Sequence, residues 1–269
     1  MIGRTTAADK QVIGGSLHIR MPRRPQIFWI FLVTGALLSA AATAEAQWRG
    51  RHRYTTQNEP PNTEVIVARW HFGANGMFGG NGWSHNYPNS DRNLNQYVKE
   101  TTGIDIDRMS YRIVELGEDD VFEFPFAYVS EPGEMRLTEK EVENLREFVN
   151  RGGFVLIDDF DGPIQFAVMR QQVRRALPDH EWLPLEIEHQ VFHAHFDLDD
   201  LQGMDPYVPG GHVTYYAMYN EVGDVVMVAG YNNDLANFWE WFGQPGMPLR
   251  PSADAFRLGV NYMVYALTH

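Results

Sequence analysis

The segment Gly152–Phe160 constrains the fold of this chain more than any other. It reads Gly-Gly-Phe-Val-Leu-Ile-Asp-Asp-Phe, an apolar run that ends in two adjacent carboxylates, and a third acid follows at Asp161. A short, continuous apolar run bounded in this way is typical of a strand that is buried on both faces of a parallel sheet. Ligands of open α/β sheets bind beyond the carboxyl ends of the strands, so the acids mark the edge at which we expect a site.

The segments on either side of this run alternate between strand and helix patterns. Upstream, Thr138 and Glu141 form the capping-box pattern of a helix that ends at Gly152-Gly153, and downstream Gly162-Pro163 begins another helix. This alternation, with short connections, predicts one α/β domain of three layers, in which a mainly parallel sheet is flanked by helices. Further elements are predicted as strands over 65–70, 111–116, 124–129, 213–219 and 224–231, an extended segment over 184–196, and helices over 91–101 and at the C-terminus, the last capped by Ser252.

The N-terminal region has the three parts of a secretory signal peptide. Arg23-Arg24 precedes an uncharged apolar run over 27–42, and Ala44-Glu45-Ala46 follows immediately before Gln47. We expect residues 1–46 to be the signal, with Met21 as an alternative start that makes 1–20 a mis-called extension. Residues 47–62 are then a flexible lead-in and 63–269 a single domain. The predicted location is the periplasm or the cell exterior, or the inner membrane if 27–42 stays attached as an anchor, for which the run is short.

Composition limits the partners and the chemistry. The formal net charge of −13 argues against nucleic acid and anionic membranes as partners, so membrane contact is expected only through an uncleaved N-terminal segment. The partner that we expect is a small polar ligand or a cell-envelope protein. The chain has no cysteine, which excludes disulfides, a thiol nucleophile, thiolate metal sites and a lipidated cysteine.

Four motifs, in order along the chain, resemble those of one bacterial family. They are Gly82–Leu94 (Gly-Trp-Ser-His-Asn-Tyr-Pro-Asn-Ser-Asp-Arg-Asn-Leu), Phe124-Pro125-Phe126, Leu137-Thr138-Glu139, and Gly152-Gly153-Phe154 with Asp158-Asp159. The family is the domain of unknown function DUF4159, and the resemblance covers Val65 to Asn237. Its name supplies no activity.

That family is similar to the class I glutamine amidotransferase-like, flavodoxin-like folds, which implies a mainly parallel sheet with helices on both faces. In amidotransferases of this shape the nucleophilic cysteine sits on the sharp turn after a central strand. Here the equivalent turn bears Asp158 and Asp159, and the absence of cysteine excludes amidotransferase chemistry. Family members are often exported or membrane-attached, which implies a role in the cell envelope.

The acid pair and one histidine are the candidate catalytic residues. Asp158 and Asp159 could hold a hard cation, or one could act as a general acid or base with a pKa raised by its neighbour. Consecutive strand side chains point in opposite directions, so only one of them can face a pocket unless the strand has already turned. The alternative is that an Asp caps the following helix or accepts backbone N–H bonds. His189 matches the family pattern and is the candidate to approach this turn.

A second group of histidines suggests a metal. His193 and His195 would lie on one face of an extended segment and could ligate one divalent ion, which is the only cofactor that the sequence suggests. The alternative, which we favour, is that both are ordinary histidines at the edge of the core.

The glycine-rich loop after the first strand is the candidate ligand-binding segment. It carries Trp83, His85, Asn86, Tyr87, Asp91 and Arg92 among five glycines, and it lies at the expected ligand edge. In the alternative interpretation Trp83 packs in the core, Tyr87-Pro88 forms a rigid turn and Ser90 or Asp91 caps a helix. The aromatic cluster Phe238–Phe242 is most simply a core or domain contact.

Three functions therefore remain open. The leading one is an exported domain of unknown activity that binds a small polar ligand or an envelope partner at the Asp158/Asp159 edge, roofed by the glycine-rich loop. The second is a hydrolase, with or without a metal, that uses these acids and a nearby histidine. The third is a structural envelope component. A hydrolase requires an Asp and a His within bonding or shared-ligand reach, whereas a binding domain predicts an aromatic-walled pocket without such convergence.

Overall fold

Strand β4 (Phe154–Phe160) runs through the middle of a mixed sheet and is buried along its whole length. The computed structural model describes residues 57–76, 79–201, 206 and 211–269, which belong to the unit Thr55–His269. The predicted signal peptide and most of the lead-in lie outside the described residues. Within the described ranges, no helix combines the length and the apolar character that crossing a bilayer requires.

The sheet of this unit has seven strands in the described residues, in the order β2-β1-β3-β4-β7-β6-β5. Strands β1 to β4 and β7 run parallel to one another, whereas β6 is antiparallel to β7 and β5 is antiparallel to β6. The other strands are β1 (Val67–His71), β2 (Tyr111–Glu115), β3 (Phe126–Ser130), β5 (Leu183–Pro184), β6 (Thr214–Tyr219) and β7 (Val225–Tyr231).

Helices cover both faces of the sheet. They are α1 (Asn89–Thr101), α2 (Glu139–Asn150), α3 (Gly162–Ala176), α4 (Leu235–Glu240) and α5 (Leu249–Thr268). Alternate residues of β4 point to opposite faces, so Phe154 and Leu156 pack with α1, α4 and α5, whereas Val155 and Ile157 pack with α2 and α3. The prediction of a three-layer α/β fold is therefore confirmed.

The capping box before α2 is present as predicted. The Thr138 hydroxyl accepts a hydrogen bond from the Glu141 backbone N–H, and the Glu141 carboxylate accepts one from the Thr138 N–H. After the helix, Gly152 adopts a left-handed conformation (φ 88°) and Gly153 packs against the Phe148 ring, closer than any Cβ could. These contacts fix a short connection that directs β4 into the sheet.

Two predicted helix caps are wrong. Helix α1 begins at Asn89 after Pro88, so Ser90 and Asp91 lie inside its first turn instead of capping it. Helix α5 begins at Leu249, so Ser252 also lies within the helix, where its hydroxyl donates to the Pro248 carbonyl. In both cases a proline immediately precedes the helix, and the residue predicted to be the cap lies within the first turn.

The prediction of an extended segment over 184–196 is also wrong. Only Leu183–Pro184 is strand, and Gln190–Phe192 is a short 3-10 helix. The buried Asn261 of α5 holds the following turn: its amide donates to the Phe192 and Phe196 carbonyls and its oxygen accepts from the His195 and Phe196 N–H groups. A folded-back segment satisfies these backbone groups without a neighbouring strand.

Candidate functional site

The backbone changes direction between the two adjacent acids. Asp158 is still paired with Ser130 of β3, but Asp159 has a φ of 63°, and the pairing of β4 with β7 shifts register between Ile157 and Phe160. Only Asn, Asp and Gly adopt this left-handed conformation with little strain. Since the strand has turned at Asp159, the opposite pointing of consecutive strand side chains no longer applies there.

Asp159 contacts a histidine from the glycine-rich loop. Its Oδ2 lies 2.5 Å from Nδ1 of His85 and accepts a hydrogen bond of 3.1 Å from the Ser130 hydroxyl. The His85 side chain is half exposed, whereas Asp159 is buried. Mainly because of its hydrogen bond to the Asp159 carboxylate, the pKa of His85 is raised to about 9.

Asp158 is fully buried beside this pair. Its Oδ2 accepts hydrogen bonds from the Tyr128 hydroxyl at 2.8 Å and from the Ala236 N–H at 3.1 Å. Its Oδ1 has no hydrogen-bond partner among the described residues. Burial, followed by the neighbouring charge of Asp159, raises the pKa of Asp158 to about 7.

Two further carboxylates converge on the same place. Asp234 precedes α4, and its Oδ1 accepts a hydrogen bond from the Asn237 N–H. Burial and the charges of Asp159 and Asp158 raise its pKa well above the usual range. Glu131 follows β3 in a left-handed conformation, and its Oε1 lies 4.0 Å from Nδ1 of His85. Burial and the charge of Asp159 raise the pKa of Glu131 to about 7.

Three of these side chains form a potential metal-binding group. His85, Asp159 and Asp234 each provide one ligand atom, and these atoms lie within 4.8 Å of one another. The three residues come from the loop after β1, the end of β4 and the segment after β7, all at the carboxyl edge of the parallel strands. An imidazole with two carboxylates can bind a divalent ion, and an imidazole next to an acid can transfer a proton.

A buried arginine positions the loop that carries His85. Arg69 of β1 pairs with Asp91 through two nitrogens, and it also donates to the Trp83 and His85 carbonyls at 3.4 and 3.2 Å. Its guanidinium lies 4.2 Å from the centre of the Tyr128 ring. Arg69, a charged residue of β1, thus holds the backbone carbonyl of His85, the residue that contacts Asp159.

The other predicted ligand-binding residues have mainly structural contacts. Trp83 is buried and its ring packs on His71, so it is not available to stack on a ligand. Asn86 donates to Glu240, and Arg92 donates to the Tyr111 hydroxyl. Asp91 is the partner of Arg69, and the Tyr87 ring packs edge-on against Tyr111. Of the six predicted residues, His85 is the one that the described structure brings into contact with the acid pair.

His189 lies at the opposite edge of the sheet from the acids. Its ring packs on Tyr219 and Tyr265, and its Nδ1 accepts a hydrogen bond from the Val191 N–H. Tyr219 is paired with Val225 at the start of β7, whereas the acid edge is at the end of that strand. The length of β7, roughly 20 Å, separates the two places. The expectation that His189 approaches the Asp turn is therefore wrong.

His193 and His195 are not neighbours on a strand, because the segment folds around Asn261. Nε2 of His193 bonds to the Ile187 carbonyl at 2.7 Å, and Nε2 of His195 bonds to the Thr101 carbonyl at 2.9 Å. Neither histidine belongs to the ligand group described above. A backbone carbonyl thus occupies Nε2 of each ring.

Asp234, Glu131 and Arg69 were not among the residues selected from the sequence. Asp234 and Glu131 each come shortly after an apolar strand, which is the same signal that drew attention to Asp158 and Asp159. Collecting the polar residues after every predicted parallel strand would have found them. Arg69 had a different signal, since it is a lone charge within the apolar run Val65–Trp70.

The fold and the site define a three-layer α/β protein with an acidic, histidine-containing group at the carboxyl edge of its parallel strands. The family model for the domain of unknown function DUF4159 matches residues 71–267, a range that contains His85, Asp159 and Asp234. The chain therefore belongs to this family, as its motifs indicated. No curated protein matches the sequence. The likeness to amidotransferase-like and flavodoxin-like folds stays a prediction.

Proposed function

We propose that this protein is an exported cell-envelope hydrolase that acts on a small polar substrate at the carboxyl edge of its sheet. One observation carries the proposal: Nδ1 of His85 lies 2.5 Å from Oδ2 of Asp159, at the turn where the central strand ends. A hydrolase must remove a proton from water, directly or through a cation, and an imidazole in contact with a carboxylate can serve either route.

The surroundings favour hydrolysis over binding alone. A domain that only binds a ligand predicts an aromatic-walled pocket without converging titratable groups, but the Trp83 ring is buried and the acids converge on His85. Groups with raised pKa values that gather at the ligand edge of a sheet are typical of catalytic sites. Asp158, Glu131 and Asp234 all have this property.

The charge of the site indicates the class of substrate. Three carboxylates, those of Asp159, Asp234 and Glu131, lie around the His85 imidazole, and Asp158 lies beside Asp159. Arg69, which bonds to the His85 carbonyl, is already paired with Asp91. A phosphorylated or otherwise polyanionic substrate would be repelled. The substrate is therefore neutral or positively charged, such as an ester, an amide or a glycoside without acidic groups.

The proposal of export rests on the signal-peptide pattern before Gln47 and on the frequent export or membrane attachment of family members. The test is to express the full chain in a bacterium, separate periplasm from membranes and measure the mass of the product. The expected result is a soluble periplasmic protein that begins at Gln47. A product of full mass in the membrane fraction would show that 27–42 is an anchor.

The activity is tested on the chain from Gln47 with chromogenic esters, amides, glycosides and phosphates. We expect turnover of at least one neutral or cationic substrate, lowered about 100-fold or more in His85→Gln and Asp159→Asn. Asn tolerates the left-handed conformation of position 159, so the backbone is preserved. His193→Gln is the matched control and should change the rate less than about twofold. Turnover of no substrate, or equal loss in the control, would overturn the proposal.

A further inference from the structure

We infer that His85, Asp159 and Asp234 together bind one divalent transition-metal ion, with Zn²⁺ as the preferred ion. The role of the ion, which is to activate water, rests on the proposed hydrolase function. The binding itself does not, since it can be measured without turnover. The site is distinct from the histidine pair at His193 and His195, which the sequence suggested.

The geometry fits an ion of this size. Zinc lies about 2.0 to 2.2 Å from imidazole nitrogen and carboxylate oxygen, which places neighbouring ligand atoms about 3 to 4 Å apart. Here the three ligand atoms lie within 4.8 Å of one another. Adjustments of about 1 Å are needed: Nδ1 of His85 and Oδ2 of Asp159, 2.5 Å apart in the metal-free protein, would separate, and the more distant ligand atoms would approach each other.

The backbone positions of the ligands are fixed by their own contacts. Asp159 is held by its left-handed turn at the end of β4, and Asp234 is held as the cap of α4 by the Asn237 N–H. The loop of His85 is held through its carbonyl by Arg69. A site built on fixed elements loses little conformational entropy when it binds an ion.

A second observation, independent of the three distances, also indicates a missing cation. Oδ1 of the fully buried Asp158, next in the chain to Asp159, lacks a partner among the described residues. Asp234 is more than nine-tenths buried, and its Oδ1 accepts the Asn237 N–H. Buried carboxylate oxygens without donors cost free energy unless a cation balances them.

The ligand types select the class of ion. Carboxylates alone would favour Mg²⁺ or Ca²⁺, which prefer six or more oxygen ligands, whereas an imidazole ligand favours Zn²⁺ or another transition metal. The Ser130 hydroxyl donates to Asp159 and so orients one ligand from outside, as is usual in zinc sites. Three protein ligands leave a fourth position for water, and His85 is exposed enough for solvent to reach it.

The test is isothermal titration of the chain from Gln47, stripped with chelator, with ZnCl₂, MnCl₂, MgCl₂ and CaCl₂. We expect one Zn²⁺ per chain with a dissociation constant of about 1 μM or tighter, and weaker binding of Mg²⁺ and Ca²⁺. Asp234→Asn and His85→Gln should each weaken Zn²⁺ binding at least about tenfold. Asn is a good helix cap, so the Asp234 variant keeps its contact with Asn237. Circular dichroism checks that each variant is folded.

The control is a matched pair elsewhere on the chain. His193 and Asp197 are 3.3 Å apart on the surface, and the double variant His193→Gln/Asp197→Asn should bind Zn²⁺ as the parent does. The inference is overturned if the parent binds no Zn²⁺, if the site variants bind it unchanged, if the control loses it equally, or if Ca²⁺ or Mg²⁺ binds more tightly.

The same samples separate this inference from the proposed function. One Zn²⁺ that is lost in Asp234→Asn, together with an absence of turnover, supports the metal site and contradicts the hydrolase. Turnover that falls in His85→Gln and Asp159→Asn and survives chelator, together with no Zn²⁺ bound by the parent, supports the hydrolase and contradicts the metal site.

Discussion

Nη2 of Arg69 lies 2.6 Å from Oδ2 of Asp91, and both side chains are almost completely buried. This ion pair joins β1 to the first turn of α1, and Nη1 of Arg69 donates to the Trp83 and His85 carbonyls. The loop between the two elements is thereby fixed from its inner side. The orientation of His85 towards Asp159 therefore depends on Arg69, which is not itself one of the proposed metal ligands.

Replacing Arg69 by Met should strongly destabilise the protein. The substitution leaves the Asp91 carboxylate buried without its cation, which typically costs about 3 to 5 kcal/mol in the free energy of unfolding. Urea unfolding measures this difference. Arg112→Met is the control, because Arg112 is a strand arginine whose partner Asp120 is 3.7 Å away and partly exposed, and the expected loss is below about 1 kcal/mol. Similar losses in both variants would contradict the role given to Arg69.

Replacing Asp158 by Asn should make the metal-free protein more stable at high pH. The pKa of Asp158 is raised in the folded state to about 7, so its ionisation destabilises the fold as the pH rises from about 4 to 7. Below that window the carboxyl group is neutral in both states, and the cost is absent. At pH 8, with chelator present, we expect Asp158→Asn to unfold with a free energy higher by about 1 to 3 kcal/mol.

At pH 4 the gain from Asp158→Asn should disappear. The measurement is urea unfolding across this pH range, with the exposed Asp179→Asn as a control that follows the parent. If the difference in unfolding free energy between Asp158→Asn and the parent does not change with pH, ionisation of Asp158 does not destabilise the folded state.

Adding a methyl group at Gly82 should disturb the site. A Cβ there would lie 2.5 Å from the Cβ of Glu131 and 2.9 Å from Oε2 of Glu134, which also accepts the Gly82 N–H. The loop would have to move away from β3, so Gly82→Ala should lower the free energy of unfolding by about 1 to 3 kcal/mol and weaken Zn²⁺ binding. Gly103→Ala, with open space around the added atom, should leave binding unchanged. Unchanged binding in Gly82→Ala would show that the loop has room to adjust.

Replacing Asn261 by Ala should loosen the histidine-rich segment. Four backbone groups of that segment lose their partner, which is expected to lower the free energy of unfolding by about 2 to 4 kcal/mol. Hydrogen exchange should speed up at His195 and Phe196. Asn150→Ala, at the exposed end of α2, serves as the control and should change little. If chelator alone gave the same increase in exchange, a metal and not Asn261 would hold the segment.

The layers and the central strand could be predicted from the sequence because their signals are local. The apolar run over 154–157, the capping box at Thr138 and the glycine pair at 152–153 each specify an element within a dozen residues. The parallel arrangement then follows from the alternation of strands and helices. The acids at 158 and 159 could likewise be assigned to the ligand edge.

The partners of those acids could not be predicted, because they depend on contacts between distant segments. The separation of His85 from Asp159 in the sequence is 74 positions, and nothing local distinguishes His85 from His189 or His193. The histidine-rich segment is predicted as extended from its local sequence alone. What folds it instead is Asn261, which is 65 to 69 positions away.

The direction of the strands also determines how the domain can be attached to anything else. The Tyr265 hydroxyl near the C-terminus accepts the N–H of Val225, where β7 begins, and the His269 ring stacks on Tyr265. The C-terminal end of the domain thus lies on the side opposite Asp159. A tether, an affinity tag or a solid support fused at this end would leave the acidic edge facing outwards, open to whatever approaches from solution.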